Sequence, residues 1–142
     1  MKTALRTIAA AIALATATQA AALDVCAMLP RADAEAVVGT IRNVTTMKPQ
    51  GSLLGECTFE GAKGTLSMAA RPASEYEPTL KLAADKDRPP EAAQGLGGKA
   101  MKSKYGLLYQ PAGKPYFLQV IARRGGEEDM AMALEGAKKL RQ

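Results

Sequence analysis

Apolar and polar residues alternate with period two along much of this chain, the pattern of strands that bury one face. Leu54 to Glu60 sets Cys57 and Phe59 on one side and Glu56, Thr58 and Glu60 on the other. Thr65 to Arg71 repeats it with Leu66, Met68 and Ala70 facing inward, and Gly61-Ala62-Lys63-Gly64 reads as the hairpin connection between them. An earlier strand is expected from about Thr40 to Met47, rich in β-branched Ile41, Val44, Thr45 and Thr46. Pro49-Gln50-Gly51-Ser52 then forms a turn or loop. In the second half, Gly95-Leu96-Gly97-Gly98 leads into strands over Lys99 to Tyr105, Tyr105 to Gln110 and Lys114 to Arg123, with a turn at Pro111-Ala112-Gly113. In the last of these, Tyr116, Leu118, Val120 and Ala122 oppose Phe117, Gln119 and Ile121. Both sides are partly apolar, which predicts a central strand covered on both faces.

Helical spacing punctuates these strands three times. Met28 to Val38 places Leu29, Ala32, Ala36 and Val37 on one face, with Pro30 near its start and Gly39 as its stop. Ser74-Glu75-Tyr76-Glu77 matches a capping box for a helix to about Asp87, lined by Leu80, Leu82, Ala83 and Ala84. Pro78 fits only its first turn, and Arg88-Pro89-Pro90 ends it. After Gly125-Gly126, a last helix carries Glu127, Glu128 and Asp129 in its first turn and Lys138, Lys139 and Arg141 in its last, a polarity that suits the helix dipole. Met130, Ala133, Leu134, Ala137 and Leu140 form its apolar stripe. The predicted order is α-βββ-α-βββ-α: an antiparallel sheet of about six strands with three helices packed on it, an α+β sandwich.

Lys2 and Arg6 precede an apolar run from Ile8 to about Ala22, interrupted by Thr16, Thr18 and Gln19. It is too short to span a bilayer, which takes roughly 20 apolar residues. Small residues at its end suit a cleavage site, so residues 1–22 read as a cleaved secretory signal and 23–142 as one domain, periplasmic or secreted. Removing Lys2 and Arg6 leaves 17 basic residues against 14 acidic, a net charge of +3. That is too sparse and too interspersed for a nucleic-acid face.

The chain has 142 residues, no histidine and two cysteines. Lacking histidine, it has no Ser-His-Asp triad, no histidine base and no histidine-ligated metal. An oxidising compartment favours a Cys26–Cys57 disulfide. The rival reading is a lipid anchor on Cys26, but lipidation sites take Gly or Ala before the cysteine, and Val25 stands there. No cofactor or metal is expected, and Gly95-Leu96-Gly97-Gly98 lacks the Gly-Lys-Ser/Thr of a phosphate loop.

Cys26-Ala27-Met28-Leu29, the alanine- and acid-rich turn ending in Val38-Gly39, Gly55-Glu56-Cys57-Thr58-Phe59, Gly95-Leu96-Gly97-Gly98-Lys99-Ala100 and the closing amphipathic helix resemble an exported two-cysteine bacterial family. Many of its members are actinobacterial lipoproteins. Related exported domains include bacterial kinase sensor portions and PsbP-like sandwiches. The resemblance implies the α+β fold and the disulfide and carries no catalytic residue across.

These features lead to a non-enzymatic exported binding or interaction module, with an unknown protein or small ligand of the cell envelope as partner. Its candidate surface is Lys99, Lys102, Lys104, Tyr105 and Tyr109, with Lys102 and Lys104 expected on one strand face. One alternative is an envelope-associated structural protein binding anionic lipid or polysaccharide. The other is a carboxylate-based hydrolase, which needs two acids converging in a pocket; Glu56 and Glu60 read as a solvated face, and Asp85, Asp87 and Glu91 cluster near the proline-rich loop.

Overall fold

Two antiparallel meanders share one sheet. A computed structural model of the protein describes residues 22–141, so the expected leader lies outside the described residues except for Ala22. The first meander is β1 (Ile41–Met47), β2 (Gly55–Gly61) and β3 (Thr65–Pro72); the second is β5 (Gly98–Ser103), β6 (Gly106–Pro111) and β7 (Tyr116–Arg124). They join where β7 pairs with β3, from Thr65 opposite Arg123 to Pro72 opposite Tyr116. Two-residue strands complete the sheet: β4 (Glu91–Ala92) beside β5, and β8 (Glu127–Glu128) beside β7. The order is β1-β2-β3-β7-β6-β5-β4, with β8 off this path and every pairing antiparallel.

Helices α1 (Val25–Met28), α2 (Arg31–Val38) and α4 (Met130–Lys138) cover one face, and α3 (Tyr76–Ala83) covers part of the other. The main core lies under the three helices. It gathers Leu66, Met68 and Ala70 of β3 and Leu118, Val120 and Ala122 of β7 against Val37, Met132, Ala133 and Ala137. Gly136 lets α4 lie close to the sheet, since a Cβ there would stand 2.7 Å from Leu66 Cδ2. On the opposite face Tyr76 meets Phe117 edge to face, with ring centroids 5.5 Å apart, over Leu108. β7 is thus covered on both sides at Phe117, while Gln119 and Ile121 on the second face stay half-buried.

Cys26 and Cys57 form a disulfide that ties α1 to β2. A four-residue helix has little stability of its own. This one is held by the disulfide, by Asp24 Oδ1 accepting from Ala27 N, and by Arg141 N–H donating to the Met28 carbonyl at 2.7 Å. No helix among the described residues is long and apolar enough to cross a membrane.

The α+β class, the antiparallel sheet and the disulfide match expectation, whereas the elements among the described residues number eight strands and four α-helices. The expected first helix is two: Leu29 is extended (φ −121°, ψ 101°) as the residue before Pro30, and α2 begins after the proline. This rephases its face, so Ala34, Val37 and Val38 are buried while Ala32 and Ala36 are exposed. The capping box does not form; Ser74 lies in a 3-10 turn (Ala73–Glu75), and α3 has no side-chain cap. Gly125 and Gly126, at φ 59° and 85°, make a tight turn with two positive φ angles, which folds a hairpin rather than starting a helix. Glu127 and Glu128 consequently form β8 opposite Arg124 and Arg123, and α4 starts after its N-cap Asp129.

Candidate functional site

The β5–β6 turn is the best-fastened part of the expected surface. Ser103 Oγ donates to the Gly106 carbonyl at 2.9 Å and accepts from Tyr105 N at 3.2 Å. Gln119 Nε2, reaching from β7, donates to the Tyr105 carbonyl at 2.8 Å. These bonds hold Lys104 and Tyr105 outward, with Lys104 Nζ 5.4 Å from the tyrosine ring centroid. They also commit the Ser103 hydroxyl to the turn.

Beside this turn lies a cleft of about 260 Å³, lined by Asp87, Arg88, Glu91, Lys102, Ser103 and Lys104. Its far wall is the segment after α3, and Glu91 of β4 stands opposite Lys102 in the strand register. A neighbouring cleft shares Arg88 and Ser103 and adds Arg123, Glu127, Glu128 and Met130. Among the described residues, Arg88, Lys102, Lys104 and Arg123 enter no ion pair within 4.0 Å. The rim mixes four cations with four carboxylates, so it suits a polar ligand carrying both charge and hydrogen-bonding groups more than a simple polyanion.

The structure separates the other candidates. Lys102 and Lys104 do not share a strand face, because β5 ends at Ser103 and Lys104 belongs to the turn. Lys99 and Lys102, three positions apart on β5, point to opposite sides. Lys99 reaches α3, with Nζ 3.8 Å from Glu77 Oε1, both side chains well exposed. Tyr109 is not on the surface at all. It is fully buried, placed between Ala100 and Leu118 by the ladder and packed into the main core. Lys102, Lys104 and Tyr105 remain together; Arg88 and Arg123 join them across the fold, which local sequence spacing does not reveal.

On the opposite face, a shallow groove of about 380 Å³ runs between α3 and β5, lined by Tyr76, Glu77, Leu80, Lys99 and Met101. Among the described residues the Tyr76 hydroxyl is buried without a hydrogen-bond partner, and burial, with the Glu77 charge adding to it, pushes the phenol above its ordinary range. Burial, helped by the neighbouring Tyr109, raises Tyr116 likewise. Among the other acids, Glu56 accepts from Ser67 on the open sheet face, while Asp87 and Glu91 line the cleft and are exposed. No group of three or more Cys, Asp or Glu side chains suited to a metal occurs among the described residues. No protein-family model, curated protein or solved structure matches the chain.

Proposed function

We propose that this protein is a non-enzymatic exported binding module whose ligand sits in the cleft between the β5–β6 turn and the segment after α3. The observation that carries this reading is the convergence of Arg88, Lys102 and Lys104, none of them in an ion pair, beside a turn fixed by three hydrogen bonds. A turn fixed in this way holds the backbone that carries Lys102 and Lys104, which lowers part of the ordering cost of binding. The disulfide and the absence of a membrane-crossing helix among the described residues are compatible with export. The ligand class is a small polar molecule or a peptide segment bearing at least one anionic group, with Asp87 and Glu91 taking its donors.

The test is calorimetric titration of the oxidised protein with anionic saccharides, zwitterionic peptides and neutral sugars at low and physiological salt. Binding is expected from a charged class, weakened at least tenfold in Lys102→Ala/Lys104→Ala and unchanged in Lys63→Ala. Equal binding by the double variant would remove the cleft from consideration. The hydrolase reading rests on Asp87 and Glu91 lining the same cleft, but both side chains are exposed on its rim and not converging in an enclosed pocket. Turnover of chromogenic glycosides, lost in Glu91→Gln, would reverse that preference.

A further inference from the structure

The two rims of the sheet are finished differently. At one, β4 is two residues long, follows Pro89 and Pro90, and carries Glu91 opposite Lys102, which is how unpaired edges are ordinarily protected. At the other, β1 runs seven residues without proline and, among the described residues, pairs with β2 alone. Among the described residues, no backbone hydrogen bond reaches its outer side. Six of its residues are exposed, including Val44 at 40% and Met47 at 42%, two of the four large apolar side chains exposed among the described residues.

Charge bounds this rim. A bulge falls at Arg42, between the pairs Ile41–Gly61 and Asn43–Glu60, so the regular stretch is Asn43 to Met47, with no charge in it. Arg42 stands at one end and Lys48 at the other, both exposed and neither in an ion pair among the described residues. A second copy fits poorly. Backbone groups that point outward can meet only outward-pointing partners, so antiparallel self-pairing is limited to alternate registers. Centred on Thr45, it uses all five regular residues but sets Arg42 opposite Lys48, cation against cation. Centred on Val44, it must cross the Arg42 bulge twice.

We infer that β1 is a docking edge for an extended segment of another protein, with β-branched or apolar residues in its middle and a carboxylate near each end. The segment adds a strand beside β1, as in other β-augmentation complexes, and its main chain supplies the bonds the rim lacks. Its acids lie about six residues apart, roughly 20 Å, to face Arg42 and Lys48. The inference concerns a different rim from the cleft and stands or falls separately from it.

The probe is a blocked seven-residue peptide, alternating threonine and valine in its five middle positions, with glutamate at both ends. It is titrated into the isotopically labelled, oxidised protein at low ionic strength and followed by amide shifts. Shifts confined to residues 41–48 and β2 are expected, with affinity at least tenfold above that of the lysine-ended peptide. The exchange Arg42→Glu/Lys48→Glu, at two exposed positions, is expected to invert that preference. Equal binding of both peptides, no shifts on β1, or a concentration-dependent dimer that Val44→Lys dissociates would overturn the inference, the last by making a second copy the occupant.

Discussion

A single carboxylate closes the β7–β8 hairpin and starts the last helix: Asp129 Oδ2 lies 3.1 Å from Arg124 Nε, while its Oδ1 accepts from Met132 N at 2.9 Å. The two bonds differ in worth, because the Arg124 side chain is mostly exposed and surface pairs contribute little. Asp129→Ala is expected to cost about 1–2 kcal/mol through the lost cap. Asp129→Asn keeps an accepting oxygen and is expected to cost less than about 1 kcal/mol. Urea unfolding of the three proteins checks the ranking.

Removing the disulfide tests how α1 is held. Cys26→Ser/Cys57→Ser reopens a loop spanning 31 residues in sequence, and chain-entropy arithmetic places the loss at about 3–4 kcal/mol. Thermal unfolding should fall on the order of 10 °C. Hydrogen exchange is expected to rise first at residues 25–29. A uniform rise over the whole sheet would show that the bond acts globally and not by pinning α1.

Tyr76→Phe removes a buried hydroxyl that has no partner, so stability should hold or rise by up to about 1 kcal/mol. The same residue gives an alkaline signature. Burial favours the neutral phenol, so its folded pKa lies above the ordinary value of 10.0. The resulting contribution to stability is full below pH 10 and is lost as pH rises through the higher folded value. Melting temperature should therefore fall above pH 10 in the native protein, less in Tyr76→Phe, and least when Tyr116→Phe is added.

Gly125 and Gly126 both need positive φ, which side chains with a Cβ resist. Replacing either by Ala is expected to cost about 1 kcal/mol, and replacing both about 2 kcal/mol. Backbone NMR should show loss of the Arg123–Glu128 pairing before any change in β3.

The strands were legible because burying one face imposes a two-residue period that survives in the sequence. Leu66, Met68 and Ala70, and Leu118, Val120 and Ala122, all face the core as their alternation predicts. The structure departs from the pattern where that period stops or where two signals compete. Ser103 ends β5, so the alternation that would set Lys102 and Lys104 on one face stops before Lys104, which belongs to the turn. Tyr109 reads as a surface aromatic until the ladder sets it between Ala100 and Leu118. Gly125-Gly126 followed by three acids fits both a helix start and a hairpin, and the positive φ angles decide for the hairpin. The cleft was least legible, since Arg88 and Arg123 approach β5 only through the order in which strands assemble.

That order also sets a timetable for folding when the chain emerges N-terminus first. β1, β2 and β3 follow one another, and both cysteines of the disulfide have emerged once residue 57 has. β3 must then wait, because its other neighbour begins at Tyr116 and the helix that covers it begins at Met130. Through that interval the chain carries an unpaired edge bearing Leu66 and Met68, both fully buried in the finished fold. A chain that has emerged only to a point between residues 72 and 116 is therefore the stage at which a chaperone has most to shield and aggregation has most to gain.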